Sequence, residues 1–292
     1  LSNTYIEALP QQVNPKTNRV HTIFNQAVAA TGRLSSNHPN LQNIPIRTER
    51  GQLVRKAFVP RDEDHVLLAA DYSQIELRVI ASLSGDTEMQ EAFQKGEDIH
   101  ASTAAKVFGV ALADVSREQR SQAKTVNFGI VYGVSAFGLS NQTSLNRSEA
   151  KALIDAYYET YPQLKNYMRL QVDFARENGY VETVLGRRRY LKDINSQNSI
   201  VRGAAERNAV NAPIQGSAAD IIKIAMLRIH EKLSDFESKM LLQVHDELVF
   251  DAKKSELDAL TSMIKTEMEQ AYALQVPLVV DVGTGMNWLE AH

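Results

Sequence analysis

The stretch LLQVHDELVF, Leu241–Phe250, decides the fold because two apolar runs flank three ionisable residues. Each run has the length and composition of a short buried strand, and the break between them is short enough for a hairpin. His245, Asp246 and Glu247 therefore lie at a predicted hairpin tip, where apolar strands hold them rigidly. An aspartate in a turn is common, so Asp246 alone indicates little about function.

A second apolar strand, Val66–Ala70, runs into Asp71, and a new buried element starts at Ile75. If both strands belong to one sheet, Asp71 and Asp246 converge at its edge from distant parts of the chain. Paired carboxylates suit Mg²⁺, which prefers oxygen ligands and keeps waters and substrate phosphates in its shell. Two such ions, about 3.5 to 4 Å apart, would stabilise the attacking and leaving oxygens of a phosphoryl transfer.

A third stretch, RSQAKTVNFGIVYG at residues 120–133, predicts a helix with a functional face. Arg120 and Lys124 lie one turn apart near its N-terminal half, where the helix dipole also favours anions such as a triphosphate. Phe128 and Tyr132 continue that face with flat surfaces for a nucleobase. His100, in the preceding helix, offers a third phosphate contact. The alternative is an amphipathic helix with two solvated cations and two core aromatics.

The pattern between residues 85 and 189 is helical throughout. Predicted helix starts are Asp86, Asp98, the capping box of Ser116 with Gln119, and Ser148, which opens a long run whose tyrosines are predicted to pack. The last third returns to mixed structure, with helices at 200–209, 218–233 and 257–272, the hairpin, and a strand from Pro277. A short strand is also predicted at 56–59. This order predicts a sheet domain with a helical domain inserted in it.

Composition sets the class of protein. The 292 residues are 43% hydrophobic and 23% charged with a formal net charge of -3, which is ordinary for a globular protein. No apolar run approaches the roughly 20 residues of a membrane span. The absence of cysteine excludes disulfides and thiolate metal sites, and it is consistent with a cytoplasmic protein. The first residue is Leu1 rather than Met, so a fragment of a longer protein is expected.

Five motifs in order identify a family resemblance. DYSQIELR (71–78), RSQAKTVNFGIVYG (120–133) and QVHDELV (243–249) closely resemble the three signature motifs of the family A DNA polymerases, the bacterial DNA polymerase I group. The stretches TGRLSSNHPNLQNIPIR (31–47) and ERNAVNAPIQGSAAD (206–220) agree with the same family. The resemblance covers nearly the whole chain, and five such motifs are not expected by chance.

The resemblance implies an α+β right-hand polymerase fold, in which an antiparallel palm sheet carries the metal ligands and a helical fingers subdomain is inserted. The implied divisions are 1–84 for the first part of the palm, 85–206 for the fingers and 207–292 for the second part of the palm. The family's helical thumb and exonuclease-like domain precede these regions and are expected to be absent from this chain, on other parts of the parent polypeptide.

The resemblance also implies roles for individual residues. Asp71, Asp246 and the backbone of Tyr72 are implied as metal ligands for two Mg²⁺ ions, which Mn²⁺ could replace, and Asp71, Asp246, Glu247 and Lys124 are implied as catalytic residues. The implied nucleotide contacts are Arg120, Lys124, Phe128, Tyr132, His100, Gln74 and Glu76, with Glu76 blocking a ribose 2'-hydroxyl. The implied primer and template contacts are Arg33, Asn40, Gln42, Arg47, Arg207, Asn211, Gln215 and His245.

The expected function is template-directed addition of deoxynucleoside triphosphates to a primer in DNA replication and repair, in a cytoplasmic, nucleoid-associated bacterial protein without a membrane partner. Three alternatives remain open. A single-subunit RNA polymerase shares the palm chemistry, but Glu76 favours deoxynucleotides. A non-catalytic DNA-binding module with a retired polymerase fold would gain nothing from acids that repel phosphates. A two-metal nuclease would explain the carboxylates but not the helix of Arg120 and Lys124.

Overall fold

The computed structural model describes residues 2–46 and 48–292, whose contacts divide into two compact units. The first, which we name the sheet unit, runs to Ser73 and resumes over Ala219–Tyr272 and Leu278–His292. The second, which we name the helical unit, comprises Gln74–Ala218 and Ala273–Pro277. The sequence of the helical unit therefore interrupts that of the sheet unit.

Antiparallel pairing accounts for every sheet among the described residues. The strands are β1 (Val13–Asn14), β2 (Arg19–Val20), β3 (Ile23–Asn25), β4 (Ser35–Asn37), β5 (His65–Tyr72), β6 (Tyr180–Glu182), β7 (Arg188–Tyr190), β8 (Lys239–Val244), β9 (Glu247–Lys253) and β10 (Val280–Gly285). The main sheet has the order β10-β5-β9-β8, and β1–β2, β3–β4 and β6–β7 form two-stranded ladders. The predicted hairpin and the predicted strand ending at Asp71 therefore belong to one sheet.

Strand β5 occupies the centre of the main sheet because it is apolar on both faces. Residues 67–70 are each at most 4% exposed. The register with β9 places Leu68 opposite Phe250, and both side chains are fully buried. A continuous apolar run of this kind is typical of a strand covered on both sides. The same register brings Asp71 opposite Glu247 at the end of the ladder.

α-Helices are present in both units and make up most of the helical unit. They are α1 (Glu49–Arg55), α2 (Ile75–Ser84), α3 (Thr87–Gln94), α4 (Ile99–Phe108), α5 (Arg117–Val131), α6 (Ala136–Ser140), α7 (Arg147–Thr160), α8 (Pro162–Asn178), α9 (Ser199–Lys232), α10 (Leu257–Glu269) and α11 (Trp288–Ala291). No helix in the described ranges is long and apolar enough to cross a membrane.

Side-chain caps fix where the helices of the helical unit begin. Asp86 caps α3, Asp98 caps α4, and Ser116 with Gln119 forms a complete capping box on α5, as predicted. The predicted start of α7 is wrong by two positions, because Asn146 caps that helix and pairs reciprocally with Glu149. Asparagine serves as a cap as well as serine does, and both residues stand in this stretch.

The predicted tyrosine packing at the end of α7 is confirmed. Tyr157 and Tyr161 are both fully buried, and their rings meet edge to face with centroids 4.9 Å apart. This arrangement is favoured between aromatic rings. These tyrosines are core residues of the helical unit and are not available to stack on a base.

Three predicted elements differ from the structure. Helix α9 is one 34-residue helix through Pro213, where two helices were predicted. Proline removes one backbone hydrogen bond, but Ala209, Ala212 and Ile214 around it are at most 3% exposed, so packing outweighs that loss. The segment 56–59 follows the end of α1 and is not a strand. The hairpin β6–β7 interrupts the region that was predicted to be entirely helical.

The short helix α11 packs closely on β10 because the strand carries glycine. A Cβ on Gly283 would lie 2.4 Å from the carbonyl oxygen of Ala291, a contact that no side chain can make. Trp288 at the start of α11 is fully buried, and its ring meets that of Phe58 edge-on with centroids 5.5 Å apart. The helix thereby closes the apolar core beside β5 and β9.

Candidate active site

Three acidic side chains meet at one edge of the main sheet. Asp71 is the penultimate residue of β5 and pairs with Glu247, the first residue of β9. Asp246 lies in the turn between β8 and β9, and its carbonyl oxygen accepts a hydrogen bond from the backbone N–H of Tyr72 at 3.2 Å. The sheet register therefore brings together the two aspartates that the sequence places 175 positions apart (246 − 71).

Burial and mutual repulsion make this cluster a strong attractor of positive charge. Burial, followed by the negative charges of Glu247 and Asp246, raises the pKa of Asp71 to about 7. A divalent cation would remove this penalty by favouring the ionised carboxylate. The clustered oxygens thus fit a hard divalent metal ion. We name Asp71, Asp246 and Glu247 the carboxylate cluster.

The donor set of this cluster is incomplete for a protein-only metal cage. Among the described residues, no group of three His, Cys, Asp or Glu side chains is arranged to hold a metal ion. Tyr72 can contribute only its backbone, because its side chain is 3% exposed and its hydroxyl donates to the carbonyl of Met268 at 2.7 Å. Two carboxylates with waters and substrate phosphates is the arrangement in which Mg²⁺ is usually bound.

The raised pKa of Asp71 predicts that Asp71→Asn stabilises the chain without metal. The folded-state pKa lies above the unfolded value of 3.8, so the charged form destabilises the fold as pH rises from about 4 to about 7 and fully above that. At pH 8 with a chelator, we expect the free energy of unfolding to increase by about 2 to 4 kcal/mol.

Thermal and denaturant unfolding would measure this change. The gain should shrink as pH falls towards 4, where the unfolded carboxyl is also protonated. Asp281→Asn is the matched control, because Asp281 is exposed and stands opposite Asp71 on β10. An Asp71→Asn gain no larger than that of the control would contradict the account of the cluster.

The face of α5 that was predicted from the sequence carries two exposed cations. Arg120 donates to the carboxylate of Asp98 from Nε at 2.8 Å and from Nη2 at 2.6 Å. Asp98 is also the cap of α4, so this ion pair joins the first turns of two helices. Lys124, one turn further, is exposed and makes no hydrogen bond or ion pair with any residue that the structure describes. Its ammonium group is therefore available to an anion.

His100 and Phe128 lie together beside these cations. Their ring centroids are 5.6 Å apart, and His100 is only 2% exposed. Burial, with a smaller contribution from Lys124 and Arg120, lowers the pKa of His100 to about 4. The imidazole is therefore neutral at physiological pH. Asn127 donates to its Nδ1 at 3.0 Å, which leaves the proton on Nε2, the atom able to donate to an anion.

Glu76 and Tyr132 form a direct pair within the helical unit. The hydroxyl of Tyr132 donates to the carboxylate of Glu76 at 2.7 Å, and Glu76 is only 5% exposed. Gln74 precedes them at the cap of α2 in a left-handed conformation, with φ of 55°. Its buried Oε1 has no hydrogen-bond partner among the described residues. Such an orphaned acceptor marks a position where a bound group or water completes the bonding.

A relay of amides supports the turn that holds Asp246. Gln42 donates from Nε2 to the carbonyl and to the side-chain oxygen of Gln243, each at 3.1 Å. Gln243 in turn donates to the carbonyl of His245, which has a φ of 55°. The relay fixes this unusual backbone conformation. Arg33, His245 and Asp246 line one small cavity, so the structure brings these predicted residues together.

Other predicted contact residues are spread over the early loop and α9. Asn40 is exposed, and its Oδ1 accepts from the backbone of Gln42 at 3.0 Å. Arg47 lies outside the described residues. Along α9, Arg207 is exposed, and Asn211 and Gln215 are partly buried. The Oδ1 of Asn211 is buried with no hydrogen-bond partner in the described part of the chain, so it too is open to a ligand donor.

Gly133 shows why Arg207 approaches the end of α5 closely. The glycine has a φ of 68°, which side chains rarely adopt, and a Cβ there would lie 2.7 Å from Cγ of Arg207. The GIVYG ending of the motif therefore serves a packing requirement within the helical unit. From the sequence alone, Gly133 is predicted only to end the helix. The structure adds a second reason for glycine there, the close approach of Arg207.

Sequence reasoning missed four residues that contact or support predicted site residues. Gln243 lies inside a quoted motif but has no charge or turn signal of its own. Asn127 lies inside the 120–133 motif, where the sequence pattern indicates only a polar residue of an amphipathic helix. Arg55 follows the 31–47 motif in a cation-rich stretch and Trp288 lies near the end of the sequence, but neither belongs to a motif. The packing of α1 and α11 brings them to the carboxylate cluster. The single tryptophan of the chain is a weak signal without that packing.

Comparisons with known proteins identify related sequences. The model of DNA polymerase family A matches residues 1–290. The chain is 54% identical over 289 residues to DNA polymerase I of Caldicellulosiruptor bescii, covering 98% of this chain and 34% of that protein. It is 51% identical to the thermostable DNA polymerase I of Thermus thermophilus, covering 100% of this chain and 35% of that protein. The chain thus spans about a third of the length of these relatives.

A solved structure shares the fold. The POL domain of Pol1 from M. smegmatis, in complex with DNA primer-template and dNTP, matches with a TM-score of 0.93 and 48% sequence identity. The match covers 98% of this chain and 51% of that chain. The predicted α+β fold with an antiparallel sheet and a helical insertion is therefore confirmed.

Proposed function

The chain belongs to DNA polymerase family A, and on that premise we propose that it carries out template-directed DNA synthesis. It adds deoxynucleoside triphosphates to a primer 3'-hydroxyl and releases pyrophosphate, in DNA replication and repair. The observation that carries the proposal is the convergence of Asp71 and Asp246 at one sheet edge. The polymerase domain solved with primer-template and dNTP supports it by likeness.

We propose that Asp71, Asp246 and the carbonyl of Tyr72 hold two Mg²⁺ ions, for which Mn²⁺ can substitute. The bound ions would stabilise charge on the attacking and leaving oxygens of the phosphoryl transfer. Glu247 is an auxiliary acid beside these ligands. The chain's own contribution is to hold the ligand carboxylates close together, and the strand pairing of β5 with β9 supports that role.

The face of α5 supports a triphosphate contact. Lys124 and Arg120 would offset the negative charge that develops on the leaving pyrophosphate, and neutral His100 would donate from Nε2. Phe128 and Tyr132 would pack against the new base pair. Glu76, held by the hydroxyl of Tyr132, would meet the 2' position of the sugar. Gln74, beside it in the motif, has the buried orphaned Oε1 available for a nucleotide donor.

The remaining predicted residues would hold the primer and template. Amide and guanidinium groups suit the minor groove, where purine N3 and pyrimidine O2 are acceptors in every base pair, so fit is checked without reading sequence. The proposed contacts are Arg33, Asn40, Gln42, Arg47, Arg207, Asn211, Gln215 and His245. The orphaned Oδ1 of Asn211 supports a polar ligand at that position.

We propose that residues 1–84 and 207–292 form the palm and residues 85–206 the fingers. The thumb and exonuclease-like domains would lie in the remainder of the parent polypeptide, since the matched relatives are about three times longer. The proposed location is the bacterial cytoplasm in association with the nucleoid, with no membrane partner.

Extension of a labelled primer on a DNA template with Mg²⁺ tests the proposal against its alternatives. We expect elongation with deoxynucleotides and little with ribonucleotides. Preferential use of ribonucleotides would favour an RNA polymerase, and shortening of the primer would favour a nuclease. Tight DNA binding without extension, by both this chain and its parent polypeptide, would favour a non-catalytic DNA-binding module.

Lys124→Ala should separate nucleotide use from DNA binding. Because Lys124 is exposed and faces no acidic partner that the structure describes, its loss should not disturb the fold. We expect kcat/KM for deoxynucleotides to fall by about 100-fold, with the Kd for primed DNA changed by less than about threefold. Lys151→Ala on α7 is the matched control, since Lys151 is an exposed helix lysine that pairs with Asp155. A larger effect on DNA binding than on nucleotide use would refute the assigned role of α5.

A further inference from the structure

The carboxylate of Glu247 is held at both oxygens by residues from the end of the chain. The indole N–H of Trp288 donates to Oε1 at 2.7 Å. Nδ1 of His292 lies 3.0 Å from Oε2. Glu247 is only 3% exposed, and Trp288 is fully buried, so neither group can exchange its partner for bulk water. An acid that is bonded at both oxygens cannot rotate without breaking at least one charge-assisted bond.

The indole itself is held in place by Arg55. The guanidinium carbon of Arg55 lies 4.4 Å from the centroid of the Trp288 ring, and Arg55 is only 4% exposed. A desolvated cation over an indole ring is a favourable electrostatic contact. Nε and Nη1 of Arg55 are buried without a hydrogen-bond partner among the described residues, so its packing on the ring is the contact that fixes the group. Trp288 therefore presents its N–H to Glu247 in a set orientation.

Glu247 is the direct neighbour of the two proposed metal ligands, Asp71 and Asp246. It is the cross-strand partner of Asp71 and follows Asp246 in sequence. Residues paired in this way point to one face of the sheet with Cβ atoms about 4.5 to 5.5 Å apart. A mobile carboxylate here would swing towards Asp71 and compete with it for any cation. A carboxylate fixed by two donors keeps a constant distance and charge beside the ligands.

We propose that α11 and His292, the residue after it, are a positioning element for the reaction: Trp288 and His292 lock the carboxylate of Glu247, and Arg55 locks the indole of Trp288. This inference rests on the proposed polymerase function and names residues that no family motif in the sequence includes. We name these four residues the Glu247 clamp. None of Trp288, His292 or Arg55 is required to touch substrate, so each acts through Glu247.

Trp288→Phe removes the N–H donor and keeps an aromatic ring in the core. We expect kcat for primer extension to fall by about tenfold with KM for deoxynucleotides and Kd for primed DNA unchanged, because the change acts on the chemical step alone. Phe58→Leu is the matched control. Phe58 packs edge-on against the same indole without touching Glu247, so this variant should lower thermal stability without lowering kcat.

A double-mutant cycle separates positioning from general destabilisation. In a Glu247→Ala background, Trp288→Phe should leave kcat unchanged, because the group that it positions is absent. If the kcat losses of Trp288→Phe and Glu247→Ala multiply in the double variant, the two residues act independently and the proposal is overturned. A Trp288→Phe variant with the parent kcat would also overturn it. A parent chain that extends no primer would instead refute the proposed function, so the two failures are distinguishable.

A spectroscopic readout tests the clamp without any turnover. The chain contains one tryptophan, so its indole N–H gives a single signal in a ¹⁵N-labelled sample. We expect that signal to lie downfield and to exchange slowly with water, and Glu247→Ala to move it upfield and speed its exchange. Asp235→Asn, a change at an exposed turn residue, should leave it in place. If Glu247→Ala changes neither the chemical shift nor the exchange rate of the indole N–H, the hydrogen bond on which the proposal depends is contradicted.

Discussion

Asp246→Ala is expected to lower the rate of primer extension by about 1,000-fold or more while primed DNA still binds. Metal ligands contribute several kcal/mol to charge stabilisation in such reactions, and each 1.36 kcal/mol is about tenfold in rate. The bond that fixes the turn joins the backbone N–H of Tyr72 to the carbonyl of residue 246, and alanine keeps it. The fold should therefore survive the change.

The control and the binding measurement make this result specific. Removal of a negative charge beside the path of a phosphate backbone should leave the Kd for primed DNA unchanged or lower it. Asp235→Asn, in the exposed turn before β8, should have the parent rate. Single-turnover extension measures the chemical step, and fluorescence anisotropy measures DNA binding. A variant that extends primers at the parent rate would refute Asp246 as a metal ligand.

Glu76→Ala is expected to reduce discrimination against ribonucleotides by at least about 100-fold. Glu76 is buried and held by the hydroxyl of Tyr132 at 2.7 Å, so its carboxylate cannot move aside for an added hydroxyl. A rigid side chain excludes the larger sugar by steric clash, and alanine would leave room for it. The effect should appear in kcat/KM for ribonucleotides, with a smaller loss for deoxynucleotides.

Tyr132→Phe provides the matched comparison for this prediction. It deletes the hydroxyl that holds Glu76 but leaves the carboxylate in place, so we expect a partial loss of discrimination, well below that of Glu76→Ala. Competing incorporation of the two sugar types on one template measures both variants directly. Unchanged sugar selectivity in Glu76→Ala would show that another group excludes ribonucleotides.

Local signals in the sequence predicted much of the fold. The caps at Asp86, Asp98 and Ser116 were identifiable because a side-chain cap acts within three residues. The hairpin around Asp246 was identifiable because apolar runs flank His245, Asp246 and Glu247. The placement of Glu247 at the tip was wrong, because it is the first residue of β9 and is buried. The break expected within α9 was wrong because Pro213 is a local signal, and the buried packing that overrides it comes from residues distant in sequence.

The site residues to which the family resemblance gives a role were predictable, and the others were not. Asp71, Asp246 and Lys124 carry residue types that suit their chemistry, and their motifs gave them roles by resemblance. The roles of Trp288 and Arg55 were not predictable. The bond of Trp288 to Glu247 depends on the approach of α11 to the sheet, and Arg55 reaches the site by packing on that indole. That approach is allowed by Gly283, whose significance appears only when the carbonyl of Ala291 is seen against it.

Template-directed choice of a single nucleotide tests the central claim most directly. Four primed templates that differ at one base would each be offered the four deoxynucleotides, and kcat/KM would be measured for every combination. The account predicts that the complementary nucleotide is preferred on each template by at least about 100-fold, with one pyrophosphate released per addition. Incorporation that ignores the template base, or none by this chain and its parent polypeptide, would contradict it.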